Sequence, residues 1–149
     1  MSAHIDVLKG LIDMTAHLYC LDLQALPEGK FDASPMGVAR TPQDISTEVA
    51  GFNQLCCDLL SDRRPDSAER QMFASAEEAE QGIRESAQKL AATVTQMSPD
   101  DLQAKVTAPW GQEMSKYDLA QMAALNTMYH DGQLNYFQAL HGDGVMHWH

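Results

Sequence analysis

Three polar side chains, Asn126, His130 and Gln133, recur at helical spacing inside the stretch NTMYHDGQLNYFQALHGD at 126–143. At about 100° per residue, Leu119, Met122, Ala123, Tyr129, Phe137 and Leu140 share one face of that helix. The three polar residues fall within roughly 40° of the centre of the same face. Asp131 and Asn135 fall on the other side and are expected to be solvated. An earlier helix repeats the pattern: Ile45, Phe52, Leu55 and Leu59 make its apolar stripe, and Glu48 stands at the centre of it. An isolated buried carboxylate costs several kcal/mol even after relaxation, so an inward Glu48 needs a partner. His130 fits that role, and Asn126, one turn away at i−4, can join them. Two chemistries follow. One is a satisfied polar core pair with no reaction. The other is a divalent-metal or catalytic pocket, in which two groups at i and i+4 of one helix and one from a facing helix occupy one side of an ion. Without a metal, Glu48 and His130 can still serve as a general acid–base pair.

Other candidates carry less. The tail HGDGVMHWH holds His141, His147 and His149; such spacing binds metal adventitiously, and Trp148 is expected to pack over the bundle. Cys56 and Cys57 are adjacent on a helix, so their side chains diverge and do not pair. They read as small apolar filler. His17 lies opposite the main stripe of its helix and is expected to be exposed. No G-x-S-x-G, P-loop or Rossmann glycine run occurs.

The elements that must position these residues announce their own beginnings. Ser2, Thr41-Pro42 with Asp44, Ser75 with Glu78, Ser98-Pro99 with Asp101, and Ser115 with Asp118 are helix N-terminal signals. They predict long helices over 2–25, 42–61, 76–97 and 116–141, and a short helical turn over 99–104. AKVTAPWG at 104–111 is the one stretch that also suits a strand. The first helix offers Ile5, Leu8, Ile12, Tyr19, Leu23 and Leu26 as a core stripe; the third offers Ile83, Ala87, Leu90, Val94 and Met97. Four amphipathic helices predict an all-α four-helix bundle. The link between the second and third helices, about 14 residues at ~3.4 Å each, is long enough for a crossover.

The chain has 149 residues, suited to a single domain over 1–149. Its net charge of −11 argues against nucleic acid and against anionic membrane surfaces. Three cysteines without framework spacing predict reduced thiols and a cytoplasmic protein. No segment approaches the roughly 20 apolar residues of a membrane span.

The stretches ALPEGKFDASPMGVARTPQDISTEVAGFN, MSPDDLQAKVTAPWGQEMS and, most specifically, YHDGQLNYFQALHGD resemble the DinB/YfiT-like superfamily of bacterial four-helix proteins. The resemblance implies an up-down-down-up bundle with a crossover between parallel helices 2 and 3, and a homodimer. It implies three histidines around a divalent metal (Zn, Ni or Mn), one on helix 2 and an H-x-x-x-H pair on helix 4. Those positions fall on Glu48, Asn126 and His130, so only one ligand keeps its type and the site is degenerate. The activities implied are a metal-dependent hydrolase or a thiol-dependent transferase acting on a small molecule. The alternative is a non-catalytic dimeric binding or stress-related bundle that has lost its metal.

Overall fold

A computed structural model describes residues 2–67, 70 and 72–149. Its elements are α1 (Ala3–Gln24), α2 (Pro42–Leu60), α3 (Ala76–Thr95), α4 (Pro99–Gln103), β1 (Lys105–Thr107), β2 (Glu113–Ser115) and α5 (Lys116–Leu140). Each helix starts where the sequence places a cap. Ser2, Thr41, Ser75, Ser98 and Ser115 each accept a hydrogen bond from the backbone N–H three residues on. At Thr41 and Ser98 the third residue, Asp44 or Asp101, bonds back to the cap N–H and completes the box. Ser75 departs from expectation: Glu78 reaches past it to the N–H of Ala74. The ambiguous stretch after α4 becomes half of an antiparallel hairpin in which Val106 faces Met114.

Side-chain pairs fix the helix directions. His4 packs edge-on against Tyr117, and Gln138 bonds to Asp22, so α1 and α5 run parallel. The Glu48–His130 and Cys56–Leu119 contacts make α2 antiparallel to α5. The Asn53–Ser86 and Cys57–Thr93 contacts make α3 parallel to α2. Cys20 and Gln24, at the end of α1, reach Glu80 near the start of α3. The order is therefore up-down-down-up, with α2 and α3 parallel. Between them, Arg70 and Phe73 lie against the helices: a Cβ on Gly51 would strike the Arg70 guanidinium, and one on Gly82 would strike the Phe73 ring.

The core is one cluster, mostly of Ile, Leu, Val, Ala and Cys side chains with Tyr19 and Met114, among them Leu8, Ile12, Val49, Cys56, Ile83, Leu90, Leu119 and Leu134. The fully buried Tyr19 hydroxyl shares a 2.8 Å hydrogen bond with the Ser46 hydroxyl, which satisfies both polar groups in the apolar interior. Two stripes differ from expectation. On α2 the buried line runs Ile45, Val49, Asn53, Cys56 and Leu60, so Phe52 and Leu55 flank it. On α5, Tyr129 and Leu140 are exposed. This helix packs against both α1 and α2, which divides its inward surface into two faces. No described helix is long and apolar enough to cross a membrane.

Candidate functional site

His130, in the second half of α5, is 2% exposed, and both its ring nitrogens are engaged. Nε2 lies 3.3 Å from Glu48 Oε1 on α2, and Nδ1 lies 2.6 Å from Gln133 Oε1, one turn further along α5. The expected meeting of Glu48 and His130 is thus present. Its setting differs from expectation. Glu48 is not at the dry centre of α2 but on the flank facing α5, with its side chain 40% exposed. Val49, the next residue, takes the inward position. A carboxylate at the edge keeps part of its hydration, which lowers the cost of its charge. Gln133 is also exposed rather than inward, and it reaches the buried ring with its amide.

Arg40, just ahead of the Thr41 cap, was not singled out in the sequence. Its Nη2 forms an ion pair with Glu48 Oε2, so the two carboxylate oxygens are divided between a guanidinium and an imidazole. Partial burial pushes the Glu48 carboxyl up, but the bond from Arg40 and the charges of His130 and Arg40 outweigh it. The carboxyl is held below its ordinary range. Helical periodicity cannot reveal Arg40, because it lies in an irregular connection.

With Gln133 presenting its oxygen, both His130 nitrogens face acceptors, which is the bonding of an imidazolium. A half-turn of the amide presents NH2 to Nδ1 and suits a neutral ring. The pair can therefore hold or release a proton without moving the imidazole. Asn126 does not join it: no described bond links it to Glu48 or His130, and its Nδ2 is buried without a partner.

Beside the pair, a cleft of about 330 Å³ opens between the 35–42 segment and the second half of α5. Gln133 and Arg40 line it together with Ile45, Tyr129, Tyr136 and Phe137. The expected inward Tyr129 and Leu140 are found here, as cleft wall rather than core. The size falls in the range of small-molecule sites.

A second polar cluster lies on the α1 side of α5. Asp131, expected to be solvated, is fully buried, and so is Asp22 of α1. Asn135, also expected outside, donates to Asp22 Oδ2 at 3.0 Å; Gln138 donates to Oδ1 at 3.1 Å and Trp148 to Oδ2 at 2.8 Å. Neither carboxyl oxygen of Asp131 makes a well-formed hydrogen bond. Burial, with the neighbouring Asp22 carboxylate, pushes Asp131 up to about 8.

The cysteines sit in settings that disfavour the thiolate. Cys20, Cys56 and Cys57 are buried, and burial raises all three thiols, that of Cys20 to about 12. In the tail, His147 is bonded to Asp143 at 2.7 Å, and His141 to the Phe137 carbonyl at 2.8 Å. His17 is exposed, as expected.

A model of the DinB superfamily matches residues 12–134. The chain belongs to the DinB superfamily. No curated protein sequence matches it. Among solved structures, it is similar to a histidine-to-alanine mutant of the mycothiol-dependent maleylpyruvate isomerase, with a TM-score of 0.73 at 13% identity. That match covers 90% of this chain and 63% of the isomerase, so this chain spans less than two thirds of that protein's length. The isomerase without that mutation matches with a TM-score of 0.62 at 16% identity and the same coverage. A DinB-like protein from Bacillus subtilis gives 0.70 at 9% identity, covering 93% of this chain and 94% of its own. These likenesses show the shared fold.

DinB proteins often bind metal, and the positions to compare are Glu48, Asn126 and His130. The donor set here fits an ion poorly. Both Glu48 oxygens and the His130 Nε2 are taken by protein partners, and the cation beside the carboxylate is the chain's own Arg40. Asn126 would contribute a neutral amide, a weak ligand. Among the described residues no group of three His, Cys, Asp or Glu side chains converges.

Proposed function

We propose that this DinB-superfamily chain is an enzyme that moves a proton for a small molecule bound in the α2–α5 cleft, without needing a metal. The observation that carries the reading is the His130 ring, buried yet bonded on one side to Glu48 and on the other to Gln133, which lines the cleft. His130 is the proton carrier. Glu48 orients the ring and stabilises its charged form. Gln133 bridges the ring to the cleft, and turning aside it opens Nδ1 to a substrate. The thiol dependence of the isomerase with the same fold supports a thiol-dependent reaction as the class. The buried cysteines of this chain then require that the thiol come from a second small molecule. Its proton would pass to His130 as the thiolate forms. Transfer to an electrophile, or isomerisation through a thiol adduct, would return the proton.

The test is a screen of small thiols with electrophilic co-substrates, followed by variants. His130→Gln is expected to lower the rate found by about 100-fold or more, the usual contribution of a positioned acid–base group. Glu48→Gln is expected to lower it less and to shift its pH profile. Unchanged rates in both variants, with folding intact, would remove the pair from the chemistry, and a screen that finds no rate would leave a non-catalytic binding bundle as the reading. A Glu48→Leu, His130→Leu double variant that folds normally confirms that any lost rate is not lost structure.

The chain is further read as a homodimer. Val7 and Met14, two turns apart on one side of α1, are 54% and 48% exposed, and Leu125 of adjacent α5 is 62% exposed. Light scattering should then give twice the 16.5 kDa chain mass. A monomer at all concentrations would refute it.

A further inference from the structure

We infer that the molecule taken up by the α2–α5 cleft is a small organic carboxylate, held through its charge by Arg40 and through its body by the apolar and tyrosine wall. The inference rests on the reading of this cleft as the substrate site and adds the chemical class of the ligand.

Among the described residues, Arg40 is the one ionised side chain lining the cleft. Its bonds to protein use a single nitrogen: Nη2 meets Glu48 Oε2 and, at 3.5 Å, the carbonyl of Asp44. Its Nε and Nη1 have no acceptor among the described residues. A guanidinium presents its N–H groups in a planar fork, and two parallel bonds from one edge match a carboxylate. In Arg40, Cδ stands between Nε and Nη1, so both two-donor edges include the engaged Nη2, and Nε and Nη1 remain as separate N–H donors, each able to hold one carboxylate oxygen. Glu48 also repels an anion from its own side, so a ligand carboxylate is directed to the Nε or Nη1 donor.

The rest of the wall selects against other anions. Ile45, Phe137 and Leu140 are apolar, and Tyr129 and Tyr136 add exposed ring faces. Inorganic phosphate would leave this surface wet and gain only one cation, itself 44% exposed and screened by water. An organic body that covers the wall expels that water and strengthens the charged contact. An amine would meet the guanidinium as a like charge. The chain as a whole carries −11, so attraction of a carboxylate to this cleft is local to Arg40 and is not a general property of the surface.

The test uses the full chain and three probes: naphthalene-2-carboxylate, naphthalene-2-carboxamide and inorganic phosphate, titrated with detection by amide NMR. The carboxylate is expected to bind at least tenfold more tightly than the amide, with shifts centred on Ala39, Gly132 and Phe137. Phosphate is expected to bind more weakly than either. Arg40→Gln should abolish the preference while the amide still binds, and Arg40→Lys, which keeps the charge but not the Nε and Nη1 donors, should retain part of it. Melting curves check that both variants fold. If the amide binds as well as the carboxylate, the ligand class is wrong and the cleft stands as a site. If no organic probe perturbs the cleft, the site reading falls and this inference with it. Phosphate binding as tight as the carboxylate would reduce Arg40 to an adventitious anion contact and overturn the proposal.

Discussion

Asp131 holds a carboxyl group with no accessible water and an acidic neighbour, and that combination has a measurable signature. Its two oxygens are buried, and burial together with Asp22 raises the group to about 8. In the unfolded chain an aspartate titrates near 4. Between those two values the folded chain binds the extra proton, so stability falls as pH rises, by up to about 1.4 kcal/mol per pH unit. Above about pH 8 both states are ionised and this contribution levels off. Asp131→Asn keeps the shape and removes the charge. It is expected to flatten the slope of unfolding free energy between about pH 5 and 8 in urea titrations and to be the more stable chain at the upper end. Equal slopes in the two proteins would mean that Asp131 ionises normally. Glu48 behaves in the opposite sense. Its folded carboxyl is held low, so what it contributes is present above the unfolded value and lost as acid protonates it. Its exposure keeps that contribution small.

The tail after α5 acts as an element although it has no regular structure. Trp148 donates its indole N–H to Asp22 at 2.8 Å and so tethers the last residues to the end of α1. Trp148→Phe retains most of the ring area and deletes the donor. Because the ring is 37% exposed, the expected loss is at the low end for a bond to a charged acceptor, about 1.5 kcal/mol. A chemical-denaturation midpoint that does not move would show the tether to be idle. The same region shows what the sequence could and could not disclose. Caps at Thr41, Ser98 and Ser115 are local chemistry, and the helix starts were legible to the residue. The meeting of Glu48 and His130 was legible because each lies at or beside an inward stripe, although the wheel set Glu48 at the centre of a stripe that it in fact flanks. Asp22, Asp131 and Gln138 were missed because a single wheel assigns one inward face. A helix between two neighbours has a second, and here Thr127, Asp131, Leu134 and Gln138 recur along it at helical spacing. That repeat was visible in the sequence, but its polar members read as solvent. Arg40 and the cleft depend on how an irregular loop folds back on α5, which no periodicity encodes.

At the scale of the whole molecule, local and global charge push the stability optimum to the acid side of neutrality. With 21 acidic and 10 basic side chains, repulsion within the compact state grows as pH rises above the isoelectric point near 4.7. Asp131 adds its own downward slope over much of the same range. On the other side, Glu48, Asp101 and Asp143 are carboxyls held low. Partial burial opposes this at Glu48 and is outweighed by Arg40 and His130. Asp101 is lowered by the backbone and side chain of Ser98, and Asp143 by the Val145 N–H and His147. A carboxyl held low stabilises the fold until acid protonates it, so these three exposed or half-exposed groups add a small loss below about pH 4. Melting temperature is therefore expected to peak at about pH 5 to 6 and to fall steadily toward about pH 8.5. Salt separates the two causes of that fall. Repulsion among exposed carboxylates is screened within about 4 Å at ~0.5 M salt, whereas a buried proton equilibrium is not. Added salt should lift the curve at about pH 8.5 far more than at about pH 5.5, and the slope left in high salt should vanish in Asp131→Asn. A slope that salt removes completely would assign the whole effect to surface repulsion. A peak at or above about pH 8 would contradict both causes together.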